Sequence, residues 1–391
     1  MTPSARTQAA IEIVDAVIAA ARSGGAAADT IVQRYFAERR YAGSKDRRAV
    51  RDLVFAAIRR AGEVPATGRA ALLALARDDA ALAATFDGAR HGPAPIAPDE
   101  PVAEGGAAPA WLLEAFAASG LDRREAEALV GRAPLDLRVN RLVTTAAEVR
   151  ALIPDAAPVA GLPDALRLPP GGDPATPPGT VEIQDAGSQA VALAAEVSPG
   201  MSVVDLCAGG GGKTLALAAA MENRGRILAT DVDRARLSRL QPRAERAGVS
   251  IVETRLLDPG REPAALADWR AGADIVLVDA PCSGTGTWRR NPEARWRLTP
   301  ARLDRFVAMQ AHVLEVGAAL VRPGGTLVHI VCSLLDAEGA GQVERFLARH
   351  PDWTAELPAL PFGRPRGKGI RLTPSHDGTD GFFVARLRAP C

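Results

Sequence analysis

The sequence predicts an α/β fold: a mostly parallel sheet with helices on both faces, preceded by an all-helical domain and a small α+β linking module. Three observations carry this expectation. From residue 181 onward, short apolar runs of strand character alternate with helical patterns, the order a parallel sheet requires. One such unit is a strand, a glycine turn and a helix in succession: Val203-Val204-Asp205-Leu206, then Gly209 to Gly212, then Leu215 to Met221. Residues 7–86 instead repeat apolar side chains at helical spacing.

Composition sets the outer bounds. The chain has 391 residues, 47% of them hydrophobic, enough for two or three domains and a sizeable core. The net charge is only +1, but the first 60 residues hold 11 Arg/Lys against 6 Asp/Glu. No run approaches the ~20 apolar residues of a membrane span, and Glu12 and Asp15 interrupt the first apolar stretch. Cys207, Cys282, Cys332 and Cys391 form no C-x-x-C pair and do not resemble a disulfide framework. A cytoplasmic protein with reduced thiols, no metal and no membrane contact is expected.

In chain order, Ile11, Val14, Val17, Ile18 and Ala21 define a first helix that Gly24-Gly25 ends. Asp29 is placed to cap a second helix through Tyr35 and Phe36. Ser44 is placed to cap a third, with Val50, Leu53, Val54, Ala57 and Ile58 on one face. Further helical patterns at Ala70 to Leu75 and Ala80 to Phe86 complete a domain over 1–90. Its middle clusters Arg39, Arg40, Lys45, Arg47, Arg48, Arg51, Arg59 and Arg60. The cluster is either a solvated charged face or an RNA-contacting surface. Residues 91–109, rich in Pro, Ala and Gly, read as a linker. The linking module spans 110–180: helices at Trp111 to Ala118 and Arg123 to Val130, a strand at Leu135 to Asn140, a helix at Ala146 to Ile153, then a Pro/Gly-rich stretch.

The α/β domain is expected over 181–391. Ser188 is placed to cap a helix from Gln189 to Val197. Strands follow at 203–206, 226–230, Ser250 to Thr254 and Ala273 to Val278, with a helix from Arg234 to Ala247. A long helix from Pro300 to Val321 leads to a strand at Thr326 to Val331 and a helix from Asp336 to Arg349. Gly369 to Thr373 and Phe382 to Leu387 suit an antiparallel hairpin at the sheet edge.

Ligands of such sheets bind beyond the carboxyl ends of the strands. The glycine turn misses a phosphate-binding P-loop by one residue, because the first required glycine position is Cys207. Asp231, twenty residues past Gly211 and at the end of the next strand, instead suits the ribose of a nucleoside cofactor. Two further strands run into Asp279-Ala280-Pro281-Cys282-Ser283-Gly284-Thr285-Gly286 and into Cys332-Ser333, so each delivers a cysteine to the same edge. A lone cysteine is usually a small buried hydrophobe. A thiolate with a lowered pKa is a strong nucleophile. Spacing alone does not say which thiol attacks.

These residues, with Asp258, with Arg290, Pro292 and Trp296, and with Thr379-Asp380-Gly381-Phe382-Phe383, resemble the RNA cytosine-C5 methyltransferase family. The resemblance is to its bacterial 16S rRNA group, whose N-terminal domain is similar to the NusB antitermination factor. Tyr41 to Arg48 and Arg138-Val139-Asn140 extend it over nearly the whole chain. The resemblance implies a Rossmann-like class I methyltransferase sheet and S-adenosylmethionine bound by Cys207, Ala208, Gly209, Gly210, Gly211, Gly212 and Lys213. Asp231, accompanied by Arg236, would hold the ribose, Asp258 the adenine amino group, and Asp279 would lie between donor and base. It implies attack on cytosine C6 by Cys332, N3 protonation stabilised by Asp279 and release assisted by Cys282. The partner would be RNA, in this group 16S rRNA, bound by a monomer. Three departures stand out: Gly209-Gly210 replaces Ala-Pro and should loosen the loop; Val331 replaces the usual Thr before Cys332; and Glu338-Gly339-Ala340 replaces Glu-Asn-Glu. The alternatives are the same chemistry on tRNA, a catalytically silent RNA-binding assembly factor, and an NTPase, which Cys207 opposes.

Overall fold

The computed structural model describes residues 1–169 and 171–391. The chain forms two compact units, Met1–Gly131 with Thr287–Thr299, and Arg132–Gly286 with Pro300–Cys391.

The first unit is helical: α1 (Pro3–Ser23), α2 (Ala28–Ala37), α3 (Ser44–Arg60), α4 (Gly68–Ala76), α5 (Ala80–Ala83), α6 (Ala110–Ala118) and α7 (Arg123–Ala128). The Thr2 hydroxyl accepts the Ala5 amide at 3.2 Å to start α1, and Gly24, at φ +73°, ends it in the left-handed conformation. Ile13, Val14 and Val17 of α1 meet Val50, Val54 and Ile58 of α3 and Leu72 of α4 in one core. Two expected caps differ. Asp29 lies inside α2 and pairs with Arg51 at 3.0 Å, while Glu293 accepts the Ala28 amide at 2.9 Å. Ser44 is the first residue of α3 rather than its cap, and Asp46 reaches back to the Gly43 amide at 3.4 Å.

Glu293 belongs to Thr287–Thr299, which in sequence interrupts the α/β stretch and in space completes the helical core. Trp288 is fully buried beside Phe116, ring centroids 5.4 Å apart. Trp296 is also buried and donates its indole N–H to the Ala61 carbonyl at 3.3 Å. Between them Arg295, with no exposed surface, donates to the Ile58 carbonyl at 2.5 Å and the Ala61 carbonyl at 2.8 Å. Those carbonyls belong to the last turn of α3 and the residue beyond it, where no intrahelical donor remains. Burial lowers the Arg295 pKa to about 9.

The second unit continues the chain with β1 (Leu135–Val139), α8 (Ala146–Leu152), β2 (Ala157–Val159), β3 (Leu162–Leu168), β4 (Val181–Ile183), α9 (Ala186–Ala192), β5 (Ser202–Asp205), α10 (Gly212–Ala220), β6 (Arg226–Asp231), α11 (Arg234–Leu237), α12 (Leu240–Arg246) and β7 (Val252–Leu256). It ends with α13 (Glu262–Ala265), β8 (Ala273–Asp279), α14 (Pro300–Leu320), β9 (Val321–Val331), α15 (Ala340–Arg349), β10 (Thr354–Glu356), β11 (Arg364–Arg366), β12 (Gly369–Leu372), α16 (Pro374–Asp377) and β13 (Phe382–Arg388). The large sheet runs β11-β12-β13-β9-β8-β5-β6-β7, with β10 also paired to β13. Strands β9, β8, β5, β6 and β7 are mutually parallel; β13 is antiparallel to β9 and β12. The expected hairpin of β12 and β13 therefore forms, but β13 lies inside the sheet. Successive side chains serve opposite faces: Val203 packs in one core and Val204 in the other.

A second, four-stranded antiparallel sheet, β2-β3-β1-β4, arises partly from the Pro/Gly-rich stretch. The sequence reading missed β2 and β3 because Pro158, Pro163 and Asp164 break any regular alternation. Asp136, almost fully buried, accepts two hydrogen bonds from Arg167, at 2.6 and 2.9 Å, and one from the Ala186 amide at 2.9 Å. It thereby joins this sheet to the start of α9. The α9 cap is Asp185, bonded to the Gly187 and Ser188 amides, so Ser188 lies inside the helix. The helix expected from Arg234 to Ala247 is two, because Pro242 lacks the N–H that would continue the α11 ladder.

Candidate active site

The parallel ladders fix where each strand ends. Asp205 pairs with Ala229 and Leu277, and Asp279 with Ile330, so β5, β8 and β9 release their chains at one edge. The glycine turn leaves β5 there. The Ala208 amide donates to the Thr230 carbonyl at 2.8 Å, and the Gly211 amide to the Ala208 carbonyl at 2.9 Å. Gly209 and Gly211 have φ of +55° and +84°. A Cβ at Gly209 would lie 2.6 Å from the Arg236 guanidinium, and one at Gly211 2.5 Å from Leu240. The positive φ favours glycine at both positions, and at Gly211 the contact with Leu240 leaves no room for a side chain. Gly210 is held too, its carbonyl accepting from Arg243. The Gly209-Gly210 pair, expected to loosen the loop, is thus tied at both residues.

Asp231, at the end of β6, accepts the Gly209 amide at 2.8 Å and the Asp233 amide at 2.7 Å. A carboxylate offers about four acceptor sites, so it retains capacity for further donors. The Arg236 side chain reaches Gly209. Asp258 is exposed, two residues beyond the end of β7. Gly212 opens α10, and a Cβ built there meets no atom within 4 Å. The first amides of α10 have no intrahelical acceptor, so the space before them is open and polar.

Beneath the turn, Asp205 is completely buried and accepts the Thr214 hydroxyl at 2.6 Å, its other oxygen lacking a partner. Burial raises its pKa to about 7. Burial and the nearby Asp205, Asp231 and Asp279 carboxylates push the Cys207 thiol far up, so this cysteine is no thiolate. Lys213 reaches from α10 to Asp279 at 2.7 Å. Burial, the largest single influence, opposes its charge, but Asp279, with Cys332 and Asp205 adding, holds the ammonium above its usual pKa.

Cys282, past β8, and Cys332, past β9, bring their sulfurs to 3.3 Å. The contact with Cys332, burial and the nearby Glu338 push the Cys282 thiol well up. The loop carrying Cys282 returns across the strand ends: the Gly286 amide donates to the Cys332 carbonyl at 3.0 Å, and the Gly381 amide to the Gly286 carbonyl at 2.8 Å. A Cβ at Gly286 would lie 2.1 Å from the Gly381 carbonyl oxygen, which accounts for glycine in both motifs.

The structure thus gathers 207–213, Asp231, Arg236, Asp279, Cys282 and Cys332 along the strand ends, with Asp258 beyond the neighbouring β7. Arg290, Pro292 and Trp296, quoted with these motifs, fold into the helical unit instead. Sequence reasoning missed His329 and Gln310, for which the sequence carried no signal, and gave no role to Asp205 or Glu338, though Asp205 closes a buried strand and Glu338 matches the first Glu of the family's Glu-Asn-Glu. Among the described residues, no group of three or more His, Cys, Asp or Glu could hold a metal ion, and no helix is long and apolar enough to cross a membrane.

A family described as 16S rRNA methyltransferase RsmB/F matches residues 192–388. The chain is 36% identical over 305 residues to a probable ribosomal RNA small subunit methyltransferase B of Synechocystis sp., covering 72% of this chain and 66% of that protein, just under two thirds of its length. A solved methyltransferase homolog protein from Pyrococcus horikoshii is 27% identical, with TM-score 0.59, covering 72% of this chain and 99% of that one. PH0851, 24% identical, shares the fold at TM-score 0.78 over 99% of both chains. With the match running from the end of α9 to the end of β13, over half of its length, the chain belongs to the RsmB/F family of 16S rRNA methyltransferases.

Proposed function

We propose that the protein methylates C5 of a cytosine in RNA, with 16S rRNA as substrate and S-adenosylmethionine as donor, through a covalent bond between Cys332 and C6. The observation that carries this reading is the pair of thiols 3.3 Å apart beside the Lys213–Asp279 pair. Unactivated cytosine C5 is a poor nucleophile, and a transient covalent bond splits one hard step into two easier ones.

The site fits the donor. Asp231 has acceptor capacity left for ribose hydroxyls, Arg236 flanks the glycine turn, Asp258 at the next strand end is open to an adenine amino group, and the space over Gly212 and the α10 amides is free. When bound, the donor supplies an electrophilic methyl group. The protein's own groups do the rest. Cys332 forms the bond to C6, which places electron density on C5. Asp279, oriented by Lys213, stabilises the proton gained at N3. Once C5 is methylated, water takes up the C5 proton and the Cys332–C6 bond breaks to restore the ring, with the Cys282 thiol stabilising the departing Cys332 sulfur 3.3 Å away. The target base must be unstacked to reach these groups.

All of these groups come from one chain, so the reading requires only a monomer. The α/β domain carries the chemistry, and the NusB-like helical domain offers Arg40, Lys45 and Arg48 to RNA phosphates, all three exposed. Arg47 and Arg51 contribute less freely, being engaged with the Ala42 carbonyl and Asp29.

Bisulfite sequencing of RNA from a deletion strain, with and without the restored gene, tests the reading. A cytosine in 16S rRNA that resists conversion only when the gene is present is the expected result. A signal in tRNA moves the substrate, and no signal in either RNA overturns the activity.

A further inference from the structure

Where β8 and β9 pair, their ladder sets the spacing between them, but that pairing stops at Asp279 and Ile330. Cys282 lies beyond it, on a loop that needs another anchor. The anchor is Glu338, whose side chain has no exposed surface. One carboxylate oxygen accepts the Ser283 amide at 2.8 Å and the Gln310 side-chain amide at 2.9 Å. The other accepts the Ser283 hydroxyl and, at 2.5 Å, the Ser333 hydroxyl. Four donors fill the acceptor sites of one carboxylate. Ser283 follows Cys282 and Ser333 follows Cys332, so one group grips the neighbour of each thiol. Its own backbone is fixed as well: the Glu338 carbonyl accepts from His329 Nε2 of β9 at 3.0 Å.

We infer that Glu338 is a positioning residue for the two thiols, tying the Cys282 loop to the Cys332 strand end. It also carries a negative charge into a closed space. Cys282 faces Cys332 and Glu338, with Asp279 three residues before it and Lys213 on Asp279. The Glu338 charge raises the Cys282 pKa, and the Gly284 amide pulls it down. The contact with Cys332 and burial do most to keep Cys282 a thiol, and Glu338 adds to them; attack is left to its neighbour, a physical reason for the division of labour proposed above.

Two substitutions separate shape from charge. In Glu338→Gln the amide oxygen accepts from Ser283 and Gln310, and the amide nitrogen donates to hydroxyls that turn to accept, so the tie survives while the charge is lost. Glu338→Ala removes both. The full-length protein is alkylated with iodoacetamide across a pH series, and the Cys282 and Cys332 peptides are resolved by mass spectrometry. In Glu338→Gln the Cys282 profile should move to lower pH, so that its peptide is alkylated faster at a given pH below the midpoint. An unmoved Cys282 profile overturns the inference. The kinetic arm rests on the proposed methyl transfer: Glu338→Ala should lose about a hundredfold in kcat with KM nearly unchanged, and Glu338→Gln should restore most of it. Wild-type kcat in Glu338→Ala overturns the positioning role. If the wild type itself transfers no methyl group, the reaction is wrong, while the alkylation profile still decides the role of Glu338.

Discussion

Cys282 and Cys332 are close enough to exchange roles, so their chemistry must come from their surroundings. The contact with Cys332, burial and Glu338 hold Cys282 as a thiol, which suits it to proton transfer during release rather than to attack. Cys282→Ala should therefore accumulate a protein–RNA adduct that survives a denaturing gel when S-adenosylmethionine is present. Cys332→Ala should give neither band nor product, and the double variant should match it. An adduct persisting in Cys332→Ala would reverse the roles. Asp205 gives a second test at this scale. Its pKa is about 7 when folded against the usual 3.8, so between those values the folded state holds a proton that the unfolded state has released. Stability from this group is present at low pH and declines as pH rises from about 4 to 7. Asp205→Asn does not titrate. Relative to wild type it should gain roughly 3 kcal/mol between pH 4.5 and 8, read from urea unfolding at both values. A constant difference would place the titration elsewhere. His329, lowered to about 4 by burial, tilts stability the opposite way in both proteins and cancels in the comparison.

The glycine turn shows how an element can be tied to the protein and open to a ligand at once. Gly211 is fixed by its own backbone, since any side chain there meets Leu240 at φ +84°. Gly212 is different, because its added Cβ meets nothing and no positive φ is required. Gly212→Ala should leave thermal stability within about 0.5 kcal/mol of wild type or raise it, since alanine favours a helix. It should nonetheless weaken S-adenosylmethionine binding in calorimetry. Gly211→Ala should lose about 1–3 kcal/mol of stability through backbone strain and the clash. If Gly212→Ala binds the donor as wild type does, the ligand does not lie over the start of α10.

At the scale of the molecule, the chain leaves the α/β unit after Gly286, contributes Thr287–Thr299 to the helical unit and returns at Pro300. Trp288, Arg295 and Trp296 are buried only because Phe116, the end of α3 and the helical core cover them. A protein starting at Arg132 should therefore expose both tryptophans and leave the Arg295 donors without their carbonyls. Its tryptophan emission should shift to the red and its solubility should fall. Replacing Trp288, Arg295 and Trp296 by polar residues in that truncated protein should recover solubility. A truncated protein with wild-type emission would show that Thr287–Thr299 needs no helical cover.

The sequence alone determined the order of the parallel strands β5 to β9 in the α/β stretch, because buried parallel strands are short apolar runs whose composition is local. It also located Asp231, Asp279, Cys282 and Cys332, because each closes or directly follows such a run and the carboxyl ends of a parallel sheet share one edge. Tertiary structure decided what depends on partners distant in sequence. Glu338 meets Ser283 across 55 residues, Asp136 meets Ala186 across 50, and Arg295 meets Ile58 across 237. Periodicity cannot register these pairings, because a buried polar group chooses its partner by where the folded backbone leaves an unsatisfied donor or acceptor.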